Sequence, residues 1–541
     1  MEQGDQGLPL FRDGRDYFVK LPFLVKGEIE YPPDINADSI RGAFDEKVKQ
    51  TGKQPSAVTH VQVAGAQVIR EPLLNRSSVR GEEAYFYQIM PGVDPVRVGY
   101  FEPVQLAREL YNVPFDDILA YLGRLSAALG IDRPLARRAM ELFSLASNVP
   151  SGFFEMAFAS FGAVLNPQTA ARTVDIGLAF FGHAGREFID HWVELPLHAA
   201  PGAAIVSAAK IFGEAAARSA GPSIRVRALP TRQLHITAGN APGIPFISAL
   251  RCLATKSAGL IKMPYGVTIP GALLALAMKE AGSDHPLTRF TSIVYWPGGD
   301  ESIENVFYRQ DFFDRIVVWG SPESVASVKS KALFTRVLTF NPRYSMSFIG
   351  REAFPEHIEE AAIKGSTDSM IWNQKACIAS LVHYVEGTEE DVIKYCESVA
   401  AAMKKWDAAM PNLTPPEIEG QIRRLRRGKL ASAKWFYNAA DGHFQSAVVY
   451  VPGEFDMEDH PMWRLIVVRR VDSLEDCLKY LSSSVTTVGI YPEARRIELL
   501  DRVAACGVSN VVELGKSDRL VTGAPHDGMM VYSELVDWKN A

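Results

Sequence analysis

The first hundred residues run in short stretches of alternating apolar and polar positions: "DYFVKLPFLV", "AVTHVQVAGAQVIREPLL" and "AYFYQIMPGVDPVRVGYF", punctuated by Gly and Pro. A period of two puts successive side chains on opposite faces, so this part predicts β-strands. From about 104 to 219 the period lengthens. "FDDILAYLGRLSAAL", "RPLARRAMELFSLA", "GFFEMAFASFGAVL", "PQTAARTVDIGLAFFG" and "AAIVSAAKIFGEAAARSA" have the spacing and length of helices.

From about 222 the two periods alternate. "SIRVRAL", "QLHITAG", "GLIKMP", "FTSIVYWPG", "RIVVWGS" and "RVLTFNP" read as strands. "PFISALRCLATKSA", "PGALLALAMKEAG" and "PESVASVKSKALF" read as helices between them. Such alternation predicts a parallel, doubly wound sheet, and nucleotides bind at the C-terminal strand ends of such sheets. A second α/β block follows. Its first piece, "IEEAAIKGSTDSMIWNQKACIASLVHYVEG", reads as helix, loop, helix and strand. The expected division is a β-rich region over 1–103 and a helical segment over 104–221 that packs on the cofactor unit. A Rossmann-like unit over 222–355 and an α/β unit over 356–507 follow. The last segment, 508–541, closes on the site or on an interface.

Composition narrows the class. The chain has 541 residues, 47% of them hydrophobic and 22% charged, which suits several globular domains rather than a disordered chain. A net charge of −6 gives no reason to expect a nucleic-acid partner. The opening residues lack a basic-then-apolar leader, so no signal peptide is expected. The apolar window "GIPFISALRCLATKSAGLIKMP" is broken by Arg251, Lys256 and Lys262, so no membrane span is expected. Five cysteines (252, 377, 396, 477 and 506) form no CxxC pair and no zinc pattern. No metal site and a reduced, cytoplasmic chain are the expectation.

The stretch "MIWNQKACIAS" places a cysteine, Cys377, behind an apolar run that ends in Asn373, Gln374 and Lys375. A free cysteine can be a small buried hydrophobe. It can also be a nucleophile, which needs partial exposure and a setting that stabilises its thiolate. What accompanies it decides. In "LHITAGNAPGIPFISALRCLATKSAGLIKMP", Asn240 and Pro242 make an Asn-x-Pro turn before a helix, and the next strand ends in Lys262. "VVWGSPESV" carries a strand–Gly-Ser–helix turn at Gly320 and Ser321, and "WNQKACIAS" has an Asn before the cysteine. These three motifs resemble, in order and spacing, those of the aldehyde dehydrogenase superfamily. Within it, "HITAGN", "RIVVWGS", "NPRYSMSFIG", "IWNQKAC", "VGIYP" and "PHDGMMVYSELVDW" are similar to the LuxC-type acyl-CoA reductases, from about 225 to 541.

The resemblance implies an aldehyde-dehydrogenase-like α/β fold: a Rossmann-type cofactor domain, a thiol domain and an N-terminal β-rich and helical extension. It implies an enzyme that reduces an acyl thioester to an aldehyde with NADPH. Cys377 would carry the acyl group, with its backbone N–H and the Asn240 side chain as oxyanion donors. Lys262 would reach the adenosine ribose, and Gly320, Ser321, Thr237, Ala238 and Pro264 would line the cofactor. An acyl-CoA or other acyl thioester, an acyl-activating synthetase subunit and a homo-oligomeric assembly are the implied partners. Two departures refine this. Many NAD-using members carry a Glu three residues after the Lys, and Tyr265 stands there, which favours NADP. The "Glu-Leu-Gly-Gly" segment of aldehyde oxidisers is replaced by "LTFNPRYSMSF", with Thr339 near the place of the Glu. Without that base the acyl-enzyme should wait for a thiol or a hydride. The rival readings are an aldehyde oxidase of the same fold, a cysteine acyltransferase or thioesterase without hydride chemistry, and a non-catalytic partner in a multienzyme complex.

Six further features remain. Lys375 reads as a solvated loop lysine, although it could lower the thiol pKa. His383 lies off the helical face of Cys377. His460 is either a ribose ligand or a surface residue. Arg423, Arg424, Arg426, Arg427 and Lys429 read as a solvated helix face, with phosphate binding as the alternative. "PHDG", at 525 to 528, reads as a segment that closes over the site. Cys252, Cys396, Cys477 and Cys506 fall in helical apolar patterns and read as packing.

Overall fold

The structure, a computed structural model, describes residues 7–73, 84–147, 151–196, 203–213, 223–519 and 523–541. The N-terminal strands are β1 (Leu10–Asp13), β2 (Asp16–Lys20), β3 (Phe23–Val25), β4 (Glu28–Glu30), β5 (His60–Val63), β6 (Ala66–Pro72) and β7 (Tyr85–Pro91). Five of them form one sheet in the order β1-β2-β7-β6-β5. The helix Ala37–Thr51 covers it, burying Ile40 and Phe44. The polar face of that helix shows why it starts where it does: Asn36 accepts a hydrogen bond from the Ser39 amide as N-cap.

Helices fill the region from Pro95 to Asp190, as their period predicts. The helix expected over 203–220 runs over Ala203–Phe212, and its remainder lies outside the described residues. Two short strands follow, β8 (Val193–Leu195) and β9 (Ile224–Leu229).

The parallel sheet expected after 222 is present. It contains β10 (Arg232–Ile236), β11 (Ala258–Lys262), β12 (Thr291–Val294), β13 (Arg315–Trp319) and β14 (Arg336–Phe340). The order is β14-β13-β10-β11-β12, all parallel, extended by the antiparallel β3 and β4 of the N-terminal region. Chain order reverses between β10 and β13. The crevice outside their C-terminal ends is therefore the topological switch point, where doubly wound sheets take their ligands. The strands are near-continuous apolar runs because helices cover both faces.

The second large sheet holds β15 (Tyr344–Ile349), β16 (Ser380–Glu386), β17 (Lys434–Ala440), β18 (His443–Tyr450), β19 (Leu465–Val471), β20 (Val485–Tyr491) and β21 (Asn510–Glu513). Its order is β17-β18-β19-β16-β15-β20-β21, parallel except for the β17–β18 hairpin. The chain ends in β22 (Asp537–Asn540), which pairs with β9 beside β8. Among the described residues no helix is long and apolar enough to cross a membrane.

One expectation about local structure fails where it matters. The reading of helix, loop, helix and strand over 358–386 has one helix too many. The helix Ile358–Met370 is followed by a single 3₁₀ turn, Ile371–Gln374, and then by the turn that carries Cys377 into β16.

Candidate active site

The loop before Cys377 is built from unfavourable backbone. Trp372, Asn373 and Gln374 all have positive φ, at 50°, 53° and 65°. Left-handed backbone costs a non-glycine residue roughly 1–2 kcal/mol, so the surroundings must over-determine it. They do so through side chains. The Asn373 carbonyl accepts from the Trp463 amide at 3.1 Å, and its side-chain oxygen accepts from Arg464 Nε at 2.8 Å. Its Nδ2 donates to Asn412 at 3.1 Å. Gln374 Nε2 donates to the carbonyls of Ser380 and Leu465 at 3.2 and 2.9 Å. Arg464, fully buried, also binds Asp407 at 2.9 Å and the Met410 carbonyl at 2.8 Å. Met462, Trp463 and Arg464 are themselves left-handed, with φ of 60°, 57° and 66°. Two strained turns from distant parts of the chain thus lock each other.

Downstream, a register shift between β15 and its neighbours at Ser345 and Met346 frees the Ser345 side chain. Its hydroxyl donates to the Cys377 carbonyl at 2.8 Å and accepts from the Thr487 amide at 3.1 Å. On the other side, Asn240 reaches across from the end of β10. Its Nδ2 donates to the Lys375 carbonyl at 3.0 Å. The cysteine therefore sits where the second sheet meets the switch-point crevice of the first.

Cys377 is half-buried. Burial pushes its thiol above the ordinary value and the Asp527 carboxylate adds to this. The Thr486 hydroxyl, its own backbone N–H and Arg343 pull the other way without prevailing. The buried Thr486 oxygen has no other hydrogen-bond partner. Burial and Asp527 together thus favour the protonated thiol. The alkylation rate of Cys377 should then rise ~10-fold per pH unit from pH 6 to pH 8, following the thiolate fraction. A plateau below pH 8 in the rate of modification by an alkylating reagent would contradict this.

The plainer features fall as follows. Lys375 is not solvated: its ammonium lies 4.1 Å from the Trp463 ring centroid, and burial lowers its pKa to about 8. His383 is buried between Ser369 Oγ (2.9 Å) and Tyr395 Oη (3.0 Å), within the second domain. His460 is not a surface residue. Burial lowers its pKa to about 4, and its Nδ1 accepts from the Met462 amide at 3.0 Å. Arg423, Arg424, Arg426, Arg427 and Lys429 are exposed. Cys252, Cys396 and Cys477 are buried and Cys506 is half-buried.

At the cofactor end, Lys262 closes β11. Its ammonium lies 5.2 Å from the Trp296 ring, and burial lowers its pKa to about 8 against the opposing pull of Glu304. The Thr237 hydroxyl is already spent on the Lys262 carbonyl at 2.5 Å, tying β10 to β11. Ala238 is half-buried at the end of β10 and Pro264 is buried after β11. Between them Gly239 is obligatory, since a Cβ there would meet the Tyr265 carbonyl at 2.3 Å. Gly320 follows β13, and Ser321 caps the helix Pro322–Lys331 by accepting from the Ser324 amide at 3.4 Å. Thr339 sits half-buried on β14, with no carboxylate in its place.

Sequence reasoning missed an acid here. Glu71, on β6 of the N-terminal sheet, hydrogen-bonds the Tyr265 side chain and accepts from Gln88 at 2.7 Å. Burial raises its pKa to about 7. Arg343, Arg464, Ser345 and Thr486 were also missed. Each acts through residues far away in sequence: Arg343 and Ser345 lie inside "NPRYSMSFIG", but their partners Asp527 and Cys377 are remote in the chain.

The comparisons with known proteins agree with this geometry. The family profile of the acyl-CoA reductases (LuxC) matches residues 223–538, more than half of the chain. The chain is 26% identical to the long-chain acyl-protein thioester reductase of Aliivibrio fischeri over 56% of its own length and 62% of that protein's. With the protein of the same name from Vibrio harveyi it shares 26% identity over 58% of its own length and 64% of the relative's. The matched part thus spans less than two thirds of these curated relatives. Among solved structures, an aldehyde dehydrogenase from Bartonella henselae superposes with a TM-score of 0.62 at 11% identity, covering 96% of this chain and 98% of that one. The fold is that of the aldehyde dehydrogenases, and the chain belongs to the LuxC family of acyl-CoA reductases.

Proposed function

We propose that the chain reduces an acyl thioester to an aldehyde, with Cys377 as the acyl carrier and NADPH as hydride donor. The observation that carries this is the position of Cys377: a half-buried thiol on a braced loop, joined by Asn240 to the switch-point crevice of a nucleotide-binding sheet. The thiolate attacks the thioester carbon and the donor thiol leaves. An amide NH₂ carries two donors, so the bond to Lys375 leaves one Asn240 N–H for the substrate oxygen. Together with the Cys377 N–H it stabilises the oxyanion. A bound nicotinamide cofactor would supply hydride to the acyl carbon, and the thiohemiacetal on Cys377 would then collapse to aldehyde and free Cys377.

The cofactor's place follows from the switch point. Lys262 faces the ribose, and Gly320 and Ser321 bring the β13 turn and a helix N-terminus to the phosphates; Thr237, Ala238 and Pro264 shape the floor. NADPH is preferred because Tyr265 presents a phenol where a ribose-binding carboxylate would repel a 2′-phosphate. Glu71 behind it is engaged by Gln88 and Tyr265, and burial raises its pKa to about 7. The donor is an acyl-CoA or, as the names of the relatives suggest, an acyl group on a partner protein such as an acyl-activating synthetase. The enzyme assembles as a homo-oligomer.

NADPH oxidation with a panel of acyl-CoAs and acylated partner proteins tests the reading. Aldehyde should form in step with NADPH loss, and release of carboxylic acid in its place would favour a thioesterase. Asn240→Ala should lower kcat by ~10²–10³-fold, the usual effect of one oxyanion donor, and an unchanged kcat would leave Asn240 a loop brace only. Lys262→Met should raise KM for NADPH by ~10–100-fold with little change in kcat, as befits a lost charged hydrogen bond made equally in ground and transition states. Initial rates over a range of NADPH concentrations separate the two.

A further inference from the structure

The segment Pro525–Gly528 makes a tight turn in which His526 and Met529 exchange backbone hydrogen bonds of 2.9 and 3.0 Å. The two residues at its tip, Asp527 and Gly528, both have positive φ, at 51° and 77°. The turn is anchored through His526. That ring packs edge-on against Trp319 (5.3 Å) and Phe340 (4.9 Å), and its Nδ1 lies 3.1 Å from Arg251. Trp319 and Phe340 end β13 and β14, so the turn is seated on the crevice itself.

This seating pushes the Asp527 side chain inward, where it is only 5% exposed. One carboxyl oxygen lies 3.6 Å from Arg343 Nε, while the other has no hydrogen-bond partner. A buried carboxyl oxygen left without a partner is unfavourable and calls for an explanation. The neighbourhood supplies one. Arg343 precedes β15, whose Ser345 holds the Cys377 carbonyl. Asp527 and Arg343 are the two charged groups whose fields bear most on the Cys377 sulfur. Arg251 and His526 complete the charged and titratable groups facing the carboxyl.

We propose that Asp527 is the proton donor to the thiol that leaves when Cys377 is acylated. The proposal rests on the reading of Cys377 as nucleophile. In the step, the Cys377 thiolate forms a C–S bond to the thioester carbon. As the carbonyl re-forms, the bond to the donor sulfur breaks with its electron pair. The Asp527 carboxylic acid gives that sulfur a proton, so a neutral thiol departs and a carboxylate remains beside Arg343. Collapse of the thiohemiacetal later returns Cys377 as a thiolate, which takes one proton from solvent. At the next turnover the Asp527 carboxylate takes that proton from the Cys377 S–H, which regenerates both the acid and the thiolate. Burial favours the neutral carboxyl that this needs before the step, and Arg343 favours the charged one that follows it.

Leaving-group dependence tests this. Single-turnover acylation of the full chain is measured with two esters of one acyl group, one with an alkyl thiol and one with a far more acidic aryl thiol. The aryl thiolate departs without a proton. Asp527→Asn should therefore slow the alkyl ester by ~10²-fold or more and the aryl ester by only a few-fold. The ratio of two rates on one sample is independent of the fraction folded. Asp527→Glu, which keeps an acid, should restore at least tenfold of the alkyl rate relative to Asp527→Asn. Equal slowing of both esters, or no slowing, would overturn the proposal. If wild type is acylated by neither ester, the reading of Cys377 itself fails, and this outcome is distinct from the others.

Discussion

Cys377→Ala should abolish acyl-dependent NADPH oxidation, with a fall on the order of 10⁴–10⁶-fold, as befits removal of a nucleophile. NADPH binding should survive, because Lys262, Gly320 and Ser321 lie on the other sheet. The contrast is informative because the cysteine carries little of the fold: it is half-buried, and its loop is braced by neighbours on both sides. Cys252, Cys396 and Cys477 behave differently. Burial drives all three thiols far up, so their replacement by Ala should affect packing and leave the reaction intact. Turnover and fluorescence titration of NADPH, run on the same preparations, check both halves. Residual turnover above about a hundredth of wild type in Cys377→Ala would remove the covalent step.

Arg464→Ala should be the most destabilising single change near the site. Arg464 is fully buried and joins Asp407, the Met410 carbonyl and the side chain of Asn373. Its loss strands a buried carboxylate, for which ~3–5 kcal/mol is the usual penalty. It also releases Asn373, so the left-handed turn before Cys377 loses its brace. The expected result in denaturant is a loss of that size, with acylation lost in whatever fraction stays folded. Arg464→Met combined with Asp407→Leu removes both charges and should be less destabilising than Arg464→Ala alone, while the acylation defect persists. Such a separation would show that the pair's charge is needed for burial and its hydrogen bond to Asn373 for geometry. If the double variant acylated normally, the brace would have to come from Gln374 and Trp463 instead.

The cofactor sheet was legible because its signal is local. β10 to β14 are apolar runs bounded by Gly, Pro and Asn, and each of β10 to β13 is followed by a helix. Cys377, Asn240 and Lys262 were legible by motif. The turn at 372–374 was not, since three left-handed non-glycine residues leave no mark in composition. What holds them, Arg464 and Asn412, lies about 40 to 90 residues on, and a period count is blind to it. Glu71 escaped for the same reason: its contact with Tyr265 joins an N-terminal strand to the loop after β11. Thr237 was picked out by its place in the motif; what the motif could not show is that its hydroxyl donates to the Lys262 carbonyl and ties β10 to β11. The "PHDG" segment was read only as closing over the site, because its chemistry depends on Arg343 and Cys377, both remote in the chain.

The most direct measurement is mass spectrometry of the Cys377 peptide after brief exposure to an acyl thioester, followed by a chase with NADPH. One acyl group should appear on Cys377, and the chase should clear it with release of an equal amount of aldehyde. An acyl group that never reaches Cys377, or one that leaves as carboxylic acid whether or not NADPH is present, would contradict the acyl-enzyme reductase.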